Sequence, residues 1–187
     1  MAFDAVQWLP GRLRILDQTQ LPWEEIFLEL STSQDVTSAI REMRVRGAPA
    51  IGVTAAYGMV LAAATMRGMD SKSTLDGLRQ ASQELAAARP TAVNLRWALD
   101  RMMNAAERVT PNDDMEQSLL KEAQNIHHET RESDLRMAEL GASLIQPGSS
   151  VLTHCNTGAL ATGGYGTALG IIRRAWEVGR VKDVLAT

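Results

Sequence analysis

The chain contains a single cysteine, Cys155. It therefore has no internal disulfide and no cysteine-rich zinc site, and its thiol is read as a free thiol in a reducing, cytoplasmic setting. No run of basic residues occurs, and 19 basic against 22 acidic residues leave a net charge of −3. That balance argues against general nucleic-acid binding. Aromatic residues make up only 4% of the chain. The first residues show neither a basic segment nor an apolar one, so no secretory signal is expected. Strongly apolar runs are scarce as well. The 20 uncharged residues from Gly47 to Met66 hold Pro49, three glycines and many alanines, which suits a buried helix better than a membrane span. With 45% hydrophobic and 22% charged residues over 187 positions, the chain can build one good core, or one domain and part of another.

The patterning divides the sequence. Val6-Gln7-Trp8-Leu9 reads as a strand, Pro10-Gly11 as a turn, and Arg12 to Leu16 as a strand alternating with period two. Ile26-Phe27-Leu28 reads as a third strand. Helical patterning then takes over. Ser33 or Asp35 is expected to cap a helix running to about Arg44, and Pro49 to open a second reaching about Arg67. A third helix is expected over 72–88, and a fourth from Thr91 to Val109. A long helix starts at Pro111-Asn112-Asp113, and its stripe of Met115, Leu119, Ile126, Met137, Leu140 and Leu144 reads as core packing. Pro147-Gly148 ends it. Beyond lie a short buried strand at Ser150–Thr153, a glycine-rich turn, a helix from about Thr167 to Val178 and a second buried strand at Val181–Ala186. Strand, helix and strand in that order open a parallel sheet.

The expected fold is thus α/β: a small N-terminal antiparallel sheet plus helices, joined by a long helix to the start of a truncated Rossmann-like parallel α/β domain. The domain boundary is expected between residues 1–147 and 148–187. A lone βαβ unit leaves its strands without neighbours, so the sequence reads as cut within the second domain.

Three stretches can carry chemistry. In Arg46-Gly47-Ala48-Pro49 a guanidinium precedes a helix start whose amides can hold an anion such as a phosphate; an ordinary helix start beside a surface arginine is the plainer alternative. Arg89-Pro90-Thr91 repeats the theme, with Thr91 as the expected cap. In Thr153-His154-Cys155-Asn156-Thr157-Gly158 the cysteine falls just past a parallel strand, where α/β sheets place ligands. There a thiol can carry a proton, attack a carbon or shape a charged intermediate; a small buried hydrophobe is the alternative. The glycines that follow do not form a dinucleotide fingerprint. His154 adjoins Cys155 but is expected on the opposite face of the strand. His127 and His128 are expected on a solvated helix face, with too few companions for a metal.

Together, Arg46-Gly47-Ala48-Pro49-Ala50-Ile51-Gly52, Arg89-Pro90-Thr91-Ala92-Val93-Asn94-Leu95 and Thr153-His154-Cys155-Asn156-Thr157-Gly158-Ala159-Leu160-Ala161-Thr162 resemble the signatures of the methylthioribose-1-phosphate isomerase family. That family shares a superfamily with ribose-1,5-bisphosphate isomerase and the regulatory subunits of translation initiation factor 2B. The resemblance runs from about Val6 to the last residue. It implies a homodimer of methionine salvage that converts the aldose 5-methylthioribose 1-phosphate to its ketose, without metal or organic cofactor. It implies Cys155 as the catalytic cysteine and Arg46, Gly47, Ala48 and Arg89 as substrate holders, chiefly through the phosphate. A proton-donor aspartate and further contacts are implied in a C-terminal half, which no residue here matches; Asp183 is misplaced for the role. Little or no activity is therefore expected of the 187 residues without a second polypeptide. Ribose-1,5-bisphosphate isomerase and a non-catalytic phosphosugar- or nucleotide-binding module remain as alternatives. A cysteine hydrolase is more distant, since it needs a histidine base within reach of the thiol.

Overall fold

The computed structural model describes residues 4–110 and 112–187. Strands β1 (Val6–Leu9), β2 (Arg12–Leu16) and β3 (Phe27–Leu30) form an antiparallel sheet in that order. Period-two alternation sets its faces. Leu13 and Ile15 of β2 point into the core, opposite Leu30 and Leu28 of β3. Arg12 pairs outward with Glu29 at 3.1 Å, and Arg14 lies over the Phe27 ring. The third strand starts one residue later than expected. Ile26 instead uses its carbonyl to accept the Asp17 N–H, outside the ladder.

Helix α1 (Ser33–Arg41) is capped by Thr32, not by Ser33 or Asp35. Thr32 and Asp35 form a reciprocal capping box, so Asp35 is the third residue of the first turn. The helix also stops short of Arg44. Met43 takes φ of 61°, and the Arg44 N–H turns back to the Ala39 carbonyl, a left-handed helix ending.

Helix α2 (Ala48–Thr65) is the central rod. Among the described residues it is the one helix long and apolar enough to cross a membrane, but most of it is buried inside the fold. Helices α1, α3 (Ser71–Ala88), α4 (Val93–Ala106) and α5 (Met115–Leu144) surround it. Alanines and glycines let these neighbours approach closely: a Cβ at Gly58 would lie 3.0 Å from a Val36 methyl. Trp8 of the sheet stacks on Tyr57 at 5.3 Å between ring centres.

Helix α5 has 30 residues and runs about 45 Å. Asp114 caps it by accepting the Gln117 N–H. Of its expected start, Pro111 lies outside the described residues. The expected core stripe holds only in the first half. Leu119 and Ile126 are buried, whereas Leu140 and Leu144 are 61% and 80% exposed and Met137 is also exposed. Past Ile126 the buried positions are Asp134, Ala138 and Ala142. The helix has left the main core there and turns a small-residue face to α7 (Ala168–Glu177), where Ile171 packs over Gly141.

Strands β4 (Ser149–Thr153) and β5 (Val181–Ala186) pair in parallel, with α7 between them in sequence. Both were expected to be buried; each keeps a single buried residue, Thr153 and Val181. Leu152, Val184 and Leu185 are exposed, because the two-stranded sheet is covered only on the side of α5 and α7. A four-residue helix, α6 (Ala159–Thr162), interrupts the glycine-rich turn and was not foreseen.

Candidate active site

Helix caps separate the ends of the molecule. Helices α1, α3 and α5 start with their own side-chain caps, Thr32, Asp70 and Asp114. Helices α2 and α4 do not: their capping positions are Gly47 and Ala92, which offer no side-chain acceptor. Thr91, expected to cap α4, stands one residue too early and is exposed. The orphan amides of α2 and α4 are therefore left for another partner. These are the two helix starts that follow Arg46 and Arg89.

Gly47 and Gly52 explain how the three stretches meet. Gly47 has φ of 97°, and a Cβ there would come within 2.3 Å of the Ala161 carbonyl oxygen. A Cβ at Gly52, one turn on, would lie 2.9 Å from the Asn94 carbonyl oxygen. The start of α2 thus packs backbone to backbone against the turn after Cys155 and against the start of α4. Only glycine permits either approach. Arg46 is exposed and donates from Nε to the Met43 carbonyl at 3.3 Å. Arg89 is half-buried at the end of α3, and its carbonyl accepts the Ala92 N–H.

Cys155 follows β4 directly. It is exposed and sits at φ of 70°, a left-handed conformation uncommon for a residue with a side chain. Its N–H donates to the Thr187 carbonyl. The Nδ1 atom of His154 pairs with Thr187 Oγ1 at 2.7 Å, so His154 is held by β5's end and not by the thiol. The chain then folds back over the start of α7. Thr157 Oγ1 accepts the Leu169 N–H, and its carbonyl accepts the Thr167 N–H. Two amides at the start of α7, those of Thr167 and Leu169, are therefore held by Thr157.

Three side chains that the sequence reading did not single out for this turn hold it from below. Gln18 Nε2 donates to the Leu160 carbonyl at 2.9 Å. His127 Nε2 donates to the Gly163 carbonyl at 2.8 Å. Asp134, 3% exposed, accepts the Gly166 N–H at 3.0 Å, a hydrogen shared with Thr162 Oγ1. His127 is thus not on a solvated face as expected. Its Nδ1 faces Tyr57 Oη at 3.2 Å, and the ring meets Tyr57 edge-on. Burial, with a contribution from Asp4, pushes the Tyr57 phenol well above its ordinary range, so it stays a donor. A carbonyl can only accept, so Nε2 of His127 carries the proton and Nδ1 accepts. His128 does face solvent, 3.2 Å from Glu132. Among the described residues no cluster fit for a metal exists.

A groove of about 440 Å³ opens beside the junction, with Pro49, Asn94, Thr167 and Asp134 in its walls and Trp97 and Met137 at its rim. The first two stretches thus border one space of a size suited to a small ligand, and Thr167, five residues past the third, lines it too. Arg46, Arg89 and Cys155 lie outside its lining.

The sequence pattern of the initiation factor 2 subunit family matches residues 44–187. The chain belongs to this family. Methylthioribose-1-phosphate isomerase of Thioalkalivibrio sulfidiphilus is 51% identical over all of this chain, and that of Pelotomaculum thermopropionicum is 49% identical over 98% of it. The chain spans about half their length, 53% and 51% respectively. Among solved structures, 5-methylthioribose 1-phosphate isomerase from Pyrococcus horikoshii matches with a TM-score of 0.89 and 37% identity, over 97% of this chain and 51% of that one. The delta subunit of translation initiation factor eIF-2B from A. fulgidus matches at 0.86 and 38%, over 98% and 54%. The expected α/β fold agrees with these family structures.

Proposed function

We propose that the chain is the substrate-holding part of an aldose–ketose isomerase that converts 5-methylthioribose 1-phosphate to 5-methylthioribulose 1-phosphate. One observation carries this reading: the uncapped first turn of α2, flanked by Arg46, packs against both other stretches through Gly47 and Gly52. Helix amides and a guanidinium suit a phosphate. Identity near 50% along the whole chain to relatives named for this activity supports the substrate class.

In this reading Arg46, the Gly47–Ala48 backbone and Arg89 hold the sugar phosphate. The phosphate stays on C1, so ring opening alone cannot free an aldehyde, and one hydrogen must pass from C2 to C1. It travels either as a proton through an enolate or as a hydride. Both routes need a positioned group in a protected site. Cys155 is that group, a proton carrier in the first route and a shaper of the charged transition state in the second. The assembled enzyme works as a cytoplasmic homodimer, with neither nucleic acid nor membrane as partner.

The test is calorimetric titration of the 187-residue chain with 5-methylthioribose 1-phosphate, followed by a turnover assay with a polypeptide supplying the remaining length of the relatives. Binding that weakens at least about tenfold in Arg46→Ala, with turnover lost in Cys155→Ser, is expected. Absence of binding, or unchanged turnover in Cys155→Ser, overturns the reading. The similarity to an initiation-factor subunit supports a second one, a non-catalytic binding module. It requires binding that survives Cys155→Ala in an assembly that never turns over.

A further inference from the structure

We propose that Asp134 and His127 are positioning residues that set the conformation of the Cys155 loop. The proposal rests on the reading of Cys155 as the working thiol, and extends it to two residues of α5, of which Asp134 also lines the groove. They stand seven apart on α5, two turns along one helix face. Between them, Arg131 packs its stem beside Gly164. The face therefore meets the turn at Gly163, Gly164 and Gly166 in succession.

The bond types are complementary. His127 donates to a carbonyl and Asp134 accepts an amide, so the turn is fixed at both ends and cannot slide along α5 without losing one bond. Both anchors lead to Cys155. Gly166 bridges to Gly158, three residues past the thiol, and a Cβ on Gly166 would lie 2.9 Å from the Thr157 carbonyl oxygen. Gly163 ends α6 at φ of 90°, and α6 carries the Ala161 backbone on which Gly47 rests. The other end of the His127 bridge is Tyr57, inside α2. One strut thus ties the helix that offers the amides to the turn that carries the thiol. A buried carboxylate with an amide partner is costly to keep unless it fixes something. Here it fixes the turn that follows the left-handed Cys155.

Cys155 is the chain's single thiol and is exposed, so its alkylation by iodoacetamide reports on loop geometry without substrate. We would measure that rate, and amide exchange over 158–167, in the 187-residue chain for Asp134→Leu, Asp134→Asn, His127→Leu and His127→Gln, with urea unfolding as the control. Asn keeps an acceptor and Gln a donor. The leucine variants are expected to change the alkylation rate and speed exchange at Gly166 or Gly163 by at least about threefold, and the conservative variants to restore most of both. If the leucine variants do not fold, Asp134→Ala and His127→Ala, which remove the same bonds without added bulk, are read in the same way against α2 amides. Unchanged alkylation and exchange at matched folding overturn the proposal. So does an effect of equal size in every variant, which marks general destabilisation. The outcome does not depend on turnover, so failure of the isomerase assay leaves this result intact.

Discussion

Gly47 concentrates several demands at one residue. Its φ is positive, and a methyl group there would overlap the Ala161 backbone, which cannot step aside like a flexible side chain. Gly47→Ala is expected to cost about 2–4 kcal/mol and to part α2 from α6. A lowered urea midpoint, together with faster alkylation of Cys155, would check it. Gly11→Ala serves as the control. It has positive φ but open space around it, so it should cost only about 1 kcal/mol. A second residue gives a pH dependence. Burial pushes the Asp17 carboxyl up, but Thr19, through hydroxyl and amide, and Arg44 at 2.6 Å outweigh it and hold it below the ordinary carboxylate range. A lowered folded value stabilises at pH above the unfolded one, and that contribution fades as acid takes the group through its folded value. Stability should thus fall below about pH 4, and Asp17→Asn should flatten that part of a urea-midpoint profile. At this scale the three stretches drew notice because Arg, Gly and Cys advertise chemistry by type. Gln18 and Asp134 were not, since a lone polar residue reveals its partner only when the chain returns 142 or 32 residues later.

Elements were legible in existence and order, and less so at their ends. Among the described residues, all five strands and six of the seven helices were anticipated; α6 was missed because four residues between glycines carry no periodic signal. Caps failed where neighbouring candidates competed: Thr32, Ser33 and Asp35 all suit an N-terminus, and only backbone geometry separates cap from third residue. Thr32→Ala should therefore cost about 1 kcal/mol, while Thr91→Ala should stay within about 0.5 kcal/mol, both read as shifts in thermal midpoint. The stripe on α5 failed for another reason. Periodicity shows that a helix face is apolar but not how far its partner extends. Ile126→Ala should cost about 2–5 kcal/mol, because Ile126 sits in the main core. Leu144→Ala should cost less than about 0.5 kcal/mol, because Leu144 already faces solvent. Denaturant midpoints for the two variants test where the core ends along one continuous helix.

At the scale of the molecule, two apolar clusters of unequal size among the described residues follow from that change of partner. The main one unites the antiparallel sheet with α1 to α5, whereas the second holds three buried residues, Ala142, Ala175 and Val181. Two of those are alanines, which bury little area. Few buried contacts mean a low free energy of local opening. Amides of β4, β5 and α7 should therefore exchange with solvent at least about 100-fold faster than those of α2. A boundary after residue 147, read from Pro147-Gly148, assigns the turn at 158–167 to the weaker side. Its bonds argue otherwise: Gln18, His127 and the Gly47 contact belong to the larger core. The turn should therefore keep more protection than the strand before it, although it lies later in the chain. Mass-resolved hydrogen exchange on the intact chain distinguishes the two divisions. Protection in 158–167 that follows β4 restores the boundary after residue 147. Protection that follows α2 makes the turn part of the larger body, with Cys155 at the hinge between a rigid floor and a mobile sheet.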